Sequence, residues 1–488
     1  MTDSPGNSPQ VTDSRRSSPQ AVDVPGSSLK VIDVPGSSQQ AADVSSSTQQ
    51  AVDEPGSSDP AVVAQTIVTK FGGTSVATSQ RMLDVSRRLV NYHAQGHRVV
   101  AVVSAMGKST DDLMALAKSV NADPPSRELD RLLATGEQVS MAVLAMAIQS
   151  MGVPAVSLSG RQAGIVTTPV FSKAQIAEIN AERIQTELDQ AHIVVVAGFQ
   201  GITPTGDITT LGRGGSDTTA VAIAAAIKAN ICEIYSDVDG VYSADPRIVP
   251  KARKLNEIDY EEMLELSASG SGILQMRAVE VARNFGVEIL CRSAFTNSLG
   301  TLVREEKSME EAIITGVACD RSESKVTIRG VPDRVGIAAE LFGAIADAGV
   351  NIDMIVQNIS EGGTTDISFT APTNELSRLE SIIEAQVSKL GIRGFITDDQ
   401  IAKVSIVGAG MKSNPGIAAQ MFKVLADCAI NIEMISTSGI RISVVIKADR
   451  MEEALRALHS GFGLDSDQIF EETQLSGEEL AAKLQKGR

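Results

Sequence analysis

The chain has 488 residues, 43% of them hydrophobic and 21% charged, which is enough for two to four domains with separate cores. A net charge of −17 argues against nucleic acid or an anionic membrane as a partner. Four scattered cysteines (Cys232, Cys291, Cys319, Cys428) form no CxxC pair and the four histidines show no ligand spacing, so reduced thiols, no metal site and a cytoplasmic location are expected.

Residues 1–64 form an acidic tail that repeats every ten residues, with Asp3, Asp13, Asp23, Asp33, Asp43 and Asp53 in phase. PG and SS pairs recur and aromatic residues are absent, so the tail buries too little apolar surface to offset its chain entropy and is expected to be disordered. It lacks the apolar core of a signal peptide and is too acidic for a transit peptide. No apolar stretch is expected to reach the ~20 residues of a membrane span.

From 65 to 305, apolar strands alternate with helical segments: "TIVTKF", a helix over 79–95, "RVVAVVSA", a helix near 110–120, an amphipathic segment over 174–190, then "IVVVAGFQG", "CEIYSDVDGVYS" and "VEILCRSA". This pattern predicts a parallel α/β sheet covered on both faces. Function in such sheets sits beyond the carboxyl ends of the strands, where "KFGG", "SAMGKST" and "GFQG" fall.

Three stretches carry candidate chemistry. In "IVTKFGGTSVA", Lys70 precedes two glycines, the reverse of the P-loop order, and suggests a loop around an anion. In "RLLATGEQVSMAVLAMAI", Glu137 follows a glycine and is read at the start of a long apolar helix. There it is either an N-terminal capping charge or a counter-ion for a substrate ammonium. In "TLGRGGSDTTAVAIAAAIKA", Arg213, two glycines and Ser216 lead into an Ala-rich helix with Asp217 in its first turn. That is either an anion site or a capped helix with a surface arginine. The following "YSDVDGVYSADPRI" is dense in turn formers and lacks the glycine and glutamate of a calcium loop; it fits a nucleotide-contacting loop or a polar connector.

The last third repeats itself. "GIAAELFGAIADAGVNIDMI" (336–355) matches "GIAAQMFKVLADCAINIEMI" (416–435), and each copy reads as a ferredoxin-like βαββαβ unit. The regions expected are 313–398 and 399–470, followed by a charged tail over 471–488.

Taken together and in this order, the lysine–glycine loop, Glu137, "GRGGSD" and "SDVDGVYSADPR" resemble the aspartate kinases of the amino-acid kinase superfamily, whose opening signature is "KFGGTSVA". The resemblance spans roughly 65–470. It implies a parallel-sheet sandwich of amino-acid-kinase type followed by two ACT domains. It further implies transfer of the ATP γ-phosphoryl group to the β-carboxylate of L-aspartate, with Mg²⁺ held mainly by the nucleotide phosphates. By similarity, Lys70 reaches the transferring group, Gly72 and Gly73 allow close backbone approach, and Ser75 shares their loop. Asp217 orients Lys70 or the substrate ammonium, Glu137 pairs with that ammonium, and Arg213 takes a substrate carboxylate. Ser104, Thr110 and Phe199 match other substrate-pocket positions; Ser236, Asp237, Tyr242 and Arg247 match the ATP side. One departure stands out: "SGSGILQMR" puts Gly272 where many relatives carry a lysine, so either another cation such as Arg277 compensates or ATP is held more loosely.

The ACT pair implies feedback by lysine, threonine or both. Asp333, Gly336, Ile337, Ala338, Asn351, Asp353, Gln357 and Asn358 are the candidate effector ligands in the first copy; Asn414, Gly416, Ile417 and Asn431 are those in the second. Such domains pair between subunits, so a homodimer or larger assembly is expected, and Met309 is a candidate internal start for a separate regulatory subunit. The competing readings are an amino-acid kinase of other specificity and a non-catalytic sensor with a degenerate kinase domain.

Overall fold

A computed structural model describes residues 64–305, 314–358, 362–412 and 414–465. The repetitive tail, the charged C-terminal tail and Met309 lie outside these residues.

The N-terminal half, where a kinase domain is expected, opens with β1 (Thr66–Phe71), α1 (Ser79–Ala94), β2 (Arg98–Val103), α2 (Ser109–Val120), α3 (Ser126–Gln149) and β3 (Ala155–Leu158). Next come β4 (Ile165–Thr167), β5 (Ile176–Ile179), α4 (Glu182–Asp189), β6 (Ile193–Ala197), β7 (Gln200–Ile202), β8 (Ile208–Thr210) and α5 (Gly215–Ile227). It closes with β9 (Ile231–Ser236), β10 (Glu257–Asp259), α6 (Tyr260–Ala268), α7 (Met276–Phe285), β11 (Ile289–Ser293) and β12 (Thr301–Arg304).

Eight of these strands form one sheet in the order β10-β12-β11-β9-β1-β2-β6-β3. The strands are apolar on both faces because both faces are covered. Val100, Val102, Val194 and Val196 pack toward one side with α5 and α7, while Val99, Ala101, Val103 and Val195 pack toward the other with α1 and α3. The sheet departs from the all-parallel expectation at one pair, since β12 runs antiparallel to β11. A second sheet, β5-β4-β7-β8, consists of strands of three or four residues.

Helix α3 corrects two expectations. It is 24 residues long and apolar enough along much of its length to cross a membrane, so one stretch does reach membrane-spanning length; it packs instead on α1, β6 and β8 and buries Asp130 and Glu137. It also begins at Ser126, which places Glu137 in mid-helix and removes the capping reading. Gly136 marks no boundary. A Cβ there would lie 2.8 Å from that of Ala105, so the glycine serves close packing of a loop against the helix.

The C-terminal half, the regulatory half on the resemblance above, comprises β13 (Gly316–Asp320), β14 (Glu323–Pro332), α8 (Ile337–Asp347), β15 (Ile355–Gln357), β16 (Thr364–Pro372), α9 (Leu376–Leu390) and β17 (Gly394–Asp398). It continues with β18 (Ile401–Val407), α10 (Ile417–Asp427), β19 (Met434–Thr437), β20 (Arg441–Lys447) and α11 (Met451–Gly461). The first sheet is β15-β16-β14-β17, a complete βαββαβ unit. The second is β13-β18-β20-β19, so its fourth strand comes from 316–320, ahead of the first unit. Assigning that segment to the first region is therefore corrected: Gly316–Asp320 pairs antiparallel with Lys403–Val407 and belongs to the second sheet. Met354, Ile401, Met434 and Val445 form an apolar cluster between the two units. Beside it, Lys403 is 1% exposed and ion-paired to Glu323 (2.9 Å) and Asp353 (2.7 Å).

Candidate active site

The sheet order places β9, β1, β2 and β6 side by side, all parallel, so the turns after Phe71, Val103, Ala197 and Ser236 share one edge. Backbone hydrogen bonds lace these turns together. The Ser104 N–H donates to the Phe71 carbonyl (3.1 Å), the Gly107 N–H to Gly73 (3.0 Å) and the Gly72 N–H to Tyr235 (3.4 Å). A Cβ on Gly73 would stand 2.8 Å from the Ala105 carbonyl oxygen, so no larger residue fits without moving that loop.

Lys70, near the end of β1, reaches across this edge. Its Nζ lies 2.6 Å from Oδ1 of Asp217, with the two side chains 12% and 10% exposed. Asp217 occupies the first turn of α5, whose entry turns on Gly214 at φ 66°. Gln275 leaves no room for a side chain on that glycine. Phe199 also has positive φ, 67°, and its N–H donates to the Thr219 hydroxyl (3.2 Å), which with its packing on Gly215 sets the residue against the N-terminal end of α5. The free N–H groups of that turn, the Lys70 cation and the glycine loop thus converge, an arrangement suited to a phosphoryl group or carboxylate. Arg213 stands exposed just before α5 and makes no ion pair among the described residues.

Glu137 approaches from α3. One carboxylate oxygen accepts the Ala105 N–H (3.0 Å), whereas the other is buried without a partner. Burial raises its pKa to about 7, against the lowering effect of the Ala105 N–H. The Ser75 hydroxyl is likewise buried and unpartnered. Two buried polar atoms with nothing to bond are costly in a closed core and suit a site that receives a polar ligand. Ser104 and Thr110 are half-buried beside the same loops. Burial, then the Asp217 charge, pushes the Cys232 and Cys291 thiols well up, so both stay protonated beneath the site.

On the other flank the turn after β9 begins at Ser236 and exposed Asp237. Tyr242 pairs through its backbone with Lys254, and Arg247, whose side chain is 88% exposed, folds back on Asp245 at 2.6 Å. Gly272 adopts φ 67° and is exposed. Arg277 does not replace a missing cation there, because its guanidinium donates to the carbonyls of Leu211 (2.6 Å) and Ala174 (3.1 Å).

In the regulatory half, Gly336 (φ 92°) and Gly416 (φ 100°) cap α8 and α10 in left-handed geometry ahead of Ile337, Ala338 and Ile417. Asp333, Asn351, Gln357, Asn358 and Asn431 are exposed, and the Asn414 side chain donates to the Gly410 carbonyl (2.8 Å). Asp353 places one carboxylate oxygen on buried Lys403 between the two units (2.7 Å) and keeps partial solvent access.

Two groups that order the site carry no motif. Asp130, fully buried on α3, accepts from the N–H and hydroxyl of Ser172 (2.8 and 3.1 Å) and of Thr210 (2.8 Å each), tying α3 to β8. Nothing in sequence separates it from its charged neighbours Arg127, Glu128 and Arg131 in the first turns of α3. Beneath the glycine loop, Phe71 stacks on Tyr235 at 4.8 Å, and Tyr235 bonds Glu233 (2.7 Å) under the Arg88 guanidinium. Burial, then the charge of Glu233, raises the Tyr235 pKa to about 12.

The amino acid kinase family model matches residues 65–293, and ACT domain models match 326–390 and 404–462. The aspartokinase of Corynebacterium efficiens is 50% identical over 408 residues, covering 82% of this chain and 97% of its own. That of Mycobacterium tuberculosis H37Rv is 50% identical over 408 residues with the same coverage. The structure of Escherichia coli aspartokinase III in complex with aspartate and ADP shares the fold, with a TM-score of 0.71 at 23% identity over 81% of this chain and 99% of that one. A lysine–aspartate pair at the strand edge, a kinase sheet with two ACT-type units and half-identity along nearly the whole of these relatives lead to one conclusion: the chain belongs to the aspartokinase family.

Proposed function

We infer that this chain transfers the γ-phosphoryl group of ATP to the β-carboxylate of L-aspartate, giving 4-phospho-L-aspartate and ADP, and that end-product amino acids regulate it. The observation that carries this reading is the Lys70–Asp217 pair, set between the glycine loop and the start of α5. The nucleophile is a carboxylate, ionised at neutral pH, so no general base is needed. A carboxylate oxygen forms the new bond to phosphorus while the bridging oxygen leaves with ADP, and the protein contributes positioning and charge neutralisation.

In this reading Asp217 aims the Lys70 ammonium at the phosphoryl group in flight. Gly72, Gly73 and Ser75 close around the phosphates. The unpartnered oxygen of Glu137 receives the substrate ammonium, and Arg213 swings onto its α-carboxylate, with Ser104, Thr110 and Phe199 completing the pocket. Ser236, Asp237, Tyr242 and Arg247 hold the nucleotide, and Mg²⁺ enters on the phosphates as part of that substrate. Lysine or threonine binds at the starts of α8 and α10, where helix N–H groups meet a carboxylate and nearby amides meet an ammonium. The ACT-type units pair between subunits in the cytoplasm, and Met309 starts a separate regulatory chain.

Aspartate-dependent ADP release tests the reaction, and the same assay titrated with lysine and threonine, singly and together, tests the regulation. Turnover with another acidic amino acid but none with aspartate refutes the assignment.

A further inference from the structure

The turn after β9 is fastened to the regulatory half at Ser243. Every polar group of Ser243 is committed. Its N–H donates to the Arg253 carbonyl (2.9 Å), its carbonyl accepts the N–H of Val317 in β13 (2.7 Å), and its hydroxyl accepts the Arg253 N–H (3.0 Å) and meets His459 Nε2 at 2.9 Å. His459 lies in the last turn of α11 with its side chain 0% exposed. Its Nδ1 is 2.8 Å from Asp465, whose other oxygen accepts the Ser460 hydroxyl (2.9 Å) and lies 3.6 Å from Lys251. The same helix makes a second tie, from Arg456 Nε to the Ile248 carbonyl (2.9 Å).

The proton arrangement follows from the partners. Asp465, held below the ordinary carboxylate range by His459 and Ser460 despite its burial, can only accept, so Nδ1 carries the hydrogen. Burial keeps the imidazole below its ordinary pKa, aided by Arg253 and opposed by Asp465, so the ring is neutral and Nε2 accepts the Ser243 proton. Donation therefore runs one way, from the Arg253 N–H through Ser243 and His459 to Asp465. The residues have the order of a hydrolase triad, but the Ser243 hydroxyl is fully buried and already accepts a backbone N–H, which leaves it no approach to a substrate. A satisfied buried polar chain fixes geometry in a way apolar packing does not.

We propose that His459 is a positioning residue for the nucleotide, acting from the regulatory half through Ser243 on the turn that carries Tyr242 and Arg247. The proposal rests on the assignment of that turn to ATP.

The test uses the full-length chain with H459A, H459Q, S243A, S243A/H459A and, as a control, R247A. The measurements are steady-state kinetics for both substrates, direct titration with ADP, and circular dichroism to verify folding. H459A and S243A are expected to raise KM for ATP and Kd for ADP about 5–10-fold, the effect of one buried hydrogen bond, with KM for aspartate and kcat unchanged. The double variant should be no worse than either single one. H459Q, whose side-chain oxygen can accept the Ser243 proton, should recover most of the loss. If H459A fails to fold, S243A carries the same test. Equal shifts in both KM values, additive losses, or no recovery in H459Q overturn the proposal. If R247A leaves ADP affinity unchanged, the nucleotide assignment itself falls; if R247A weakens ADP while H459A and S243A do not, only the positioning role falls.

Discussion

Replacing Glu137 with glutamine should stabilise the protein while disabling it, with a pH dependence that identifies the cause. In the folded chain the Glu137 carboxyl is 3% exposed, with one oxygen on the Ala105 N–H and the other on nothing, and its pKa is raised from 4.5 to about 7. A carboxyl whose folded pKa exceeds its unfolded value binds its proton more tightly when folded. Its favourable contribution is complete below pH 4.5 and is lost as pH rises through about 7. Across a rise of about 2.5 pKa units the loss is on the order of 3 kcal/mol. Glutamine keeps the acceptor for Ala105 and does not titrate. Urea unfolding followed at pH 5 and pH 8 should therefore show E137Q close to wild type at the lower pH and more stable at the higher. In parallel, kcat/KM for aspartate should rise with pH around 7 in the wild type, as the counter-ion for the substrate ammonium ionises, and lose that rise in E137Q. A constant stability difference at both pH values would refute the ionisation argument, and an E137Q enzyme with wild-type kcat/KM would remove Glu137 from the substrate site.

Three further outcomes follow from the same geometry. K70A should keep its fold and lower kcat by roughly 10²–10³-fold, measured as ADP release, since the cation that neutralises the phosphoryl group is gone. G73A puts a methyl 2.8 Å from the Ala105 carbonyl and should cost on the order of 10²-fold in kcat through displacement of the loop, with a stability loss of roughly 1–3 kcal/mol by urea unfolding. K403M leaves Glu323 and Asp353 facing an apolar side chain. It should destabilise the regulatory half by roughly 3 kcal/mol, at the low end for a buried pair because Asp353 keeps partial solvent access, and denaturation followed by circular dichroism measures it.

Much of the catalytic edge is legible in sequence because its strands are unbroken apolar runs and its turns are glycine-rich, as in "KFGG" and "GFQG". The repeat at a spacing of 80 residues likewise reveals two units of one type. What escapes reading does so for physical reasons. The strands β4, β5, β7 and β8 have three or four residues, too few for a period to emerge. Gly136 reads as a helix boundary, yet it sits inside α3 because a loop crosses there at contact distance. Asp130 sits among Arg127, Glu128 and Arg131 and looks like one more surface charge, because its four donors lie on segments 42 and 80 residues away. Arg277 reads as a free cation because nothing local shows that two distant carbonyls claim it.

The placement of β13 has a consequence for synthesis. Gly316–Asp320 emerges before the first ACT-type unit, but its partner Lys403–Val407 follows more than 80 residues later. During synthesis the first unit can close on itself while β13 waits as an unpaired strand, and only the arrival of β18 gives it a ladder. The first unit is thus an insertion between two parts of the second sheet rather than its predecessor. A polypeptide cut at residue 399 would leave that sheet one strand short, with the β18 edge open to pairing with other chains, whereas a fragment begun ahead of Gly316 keeps all eight strands.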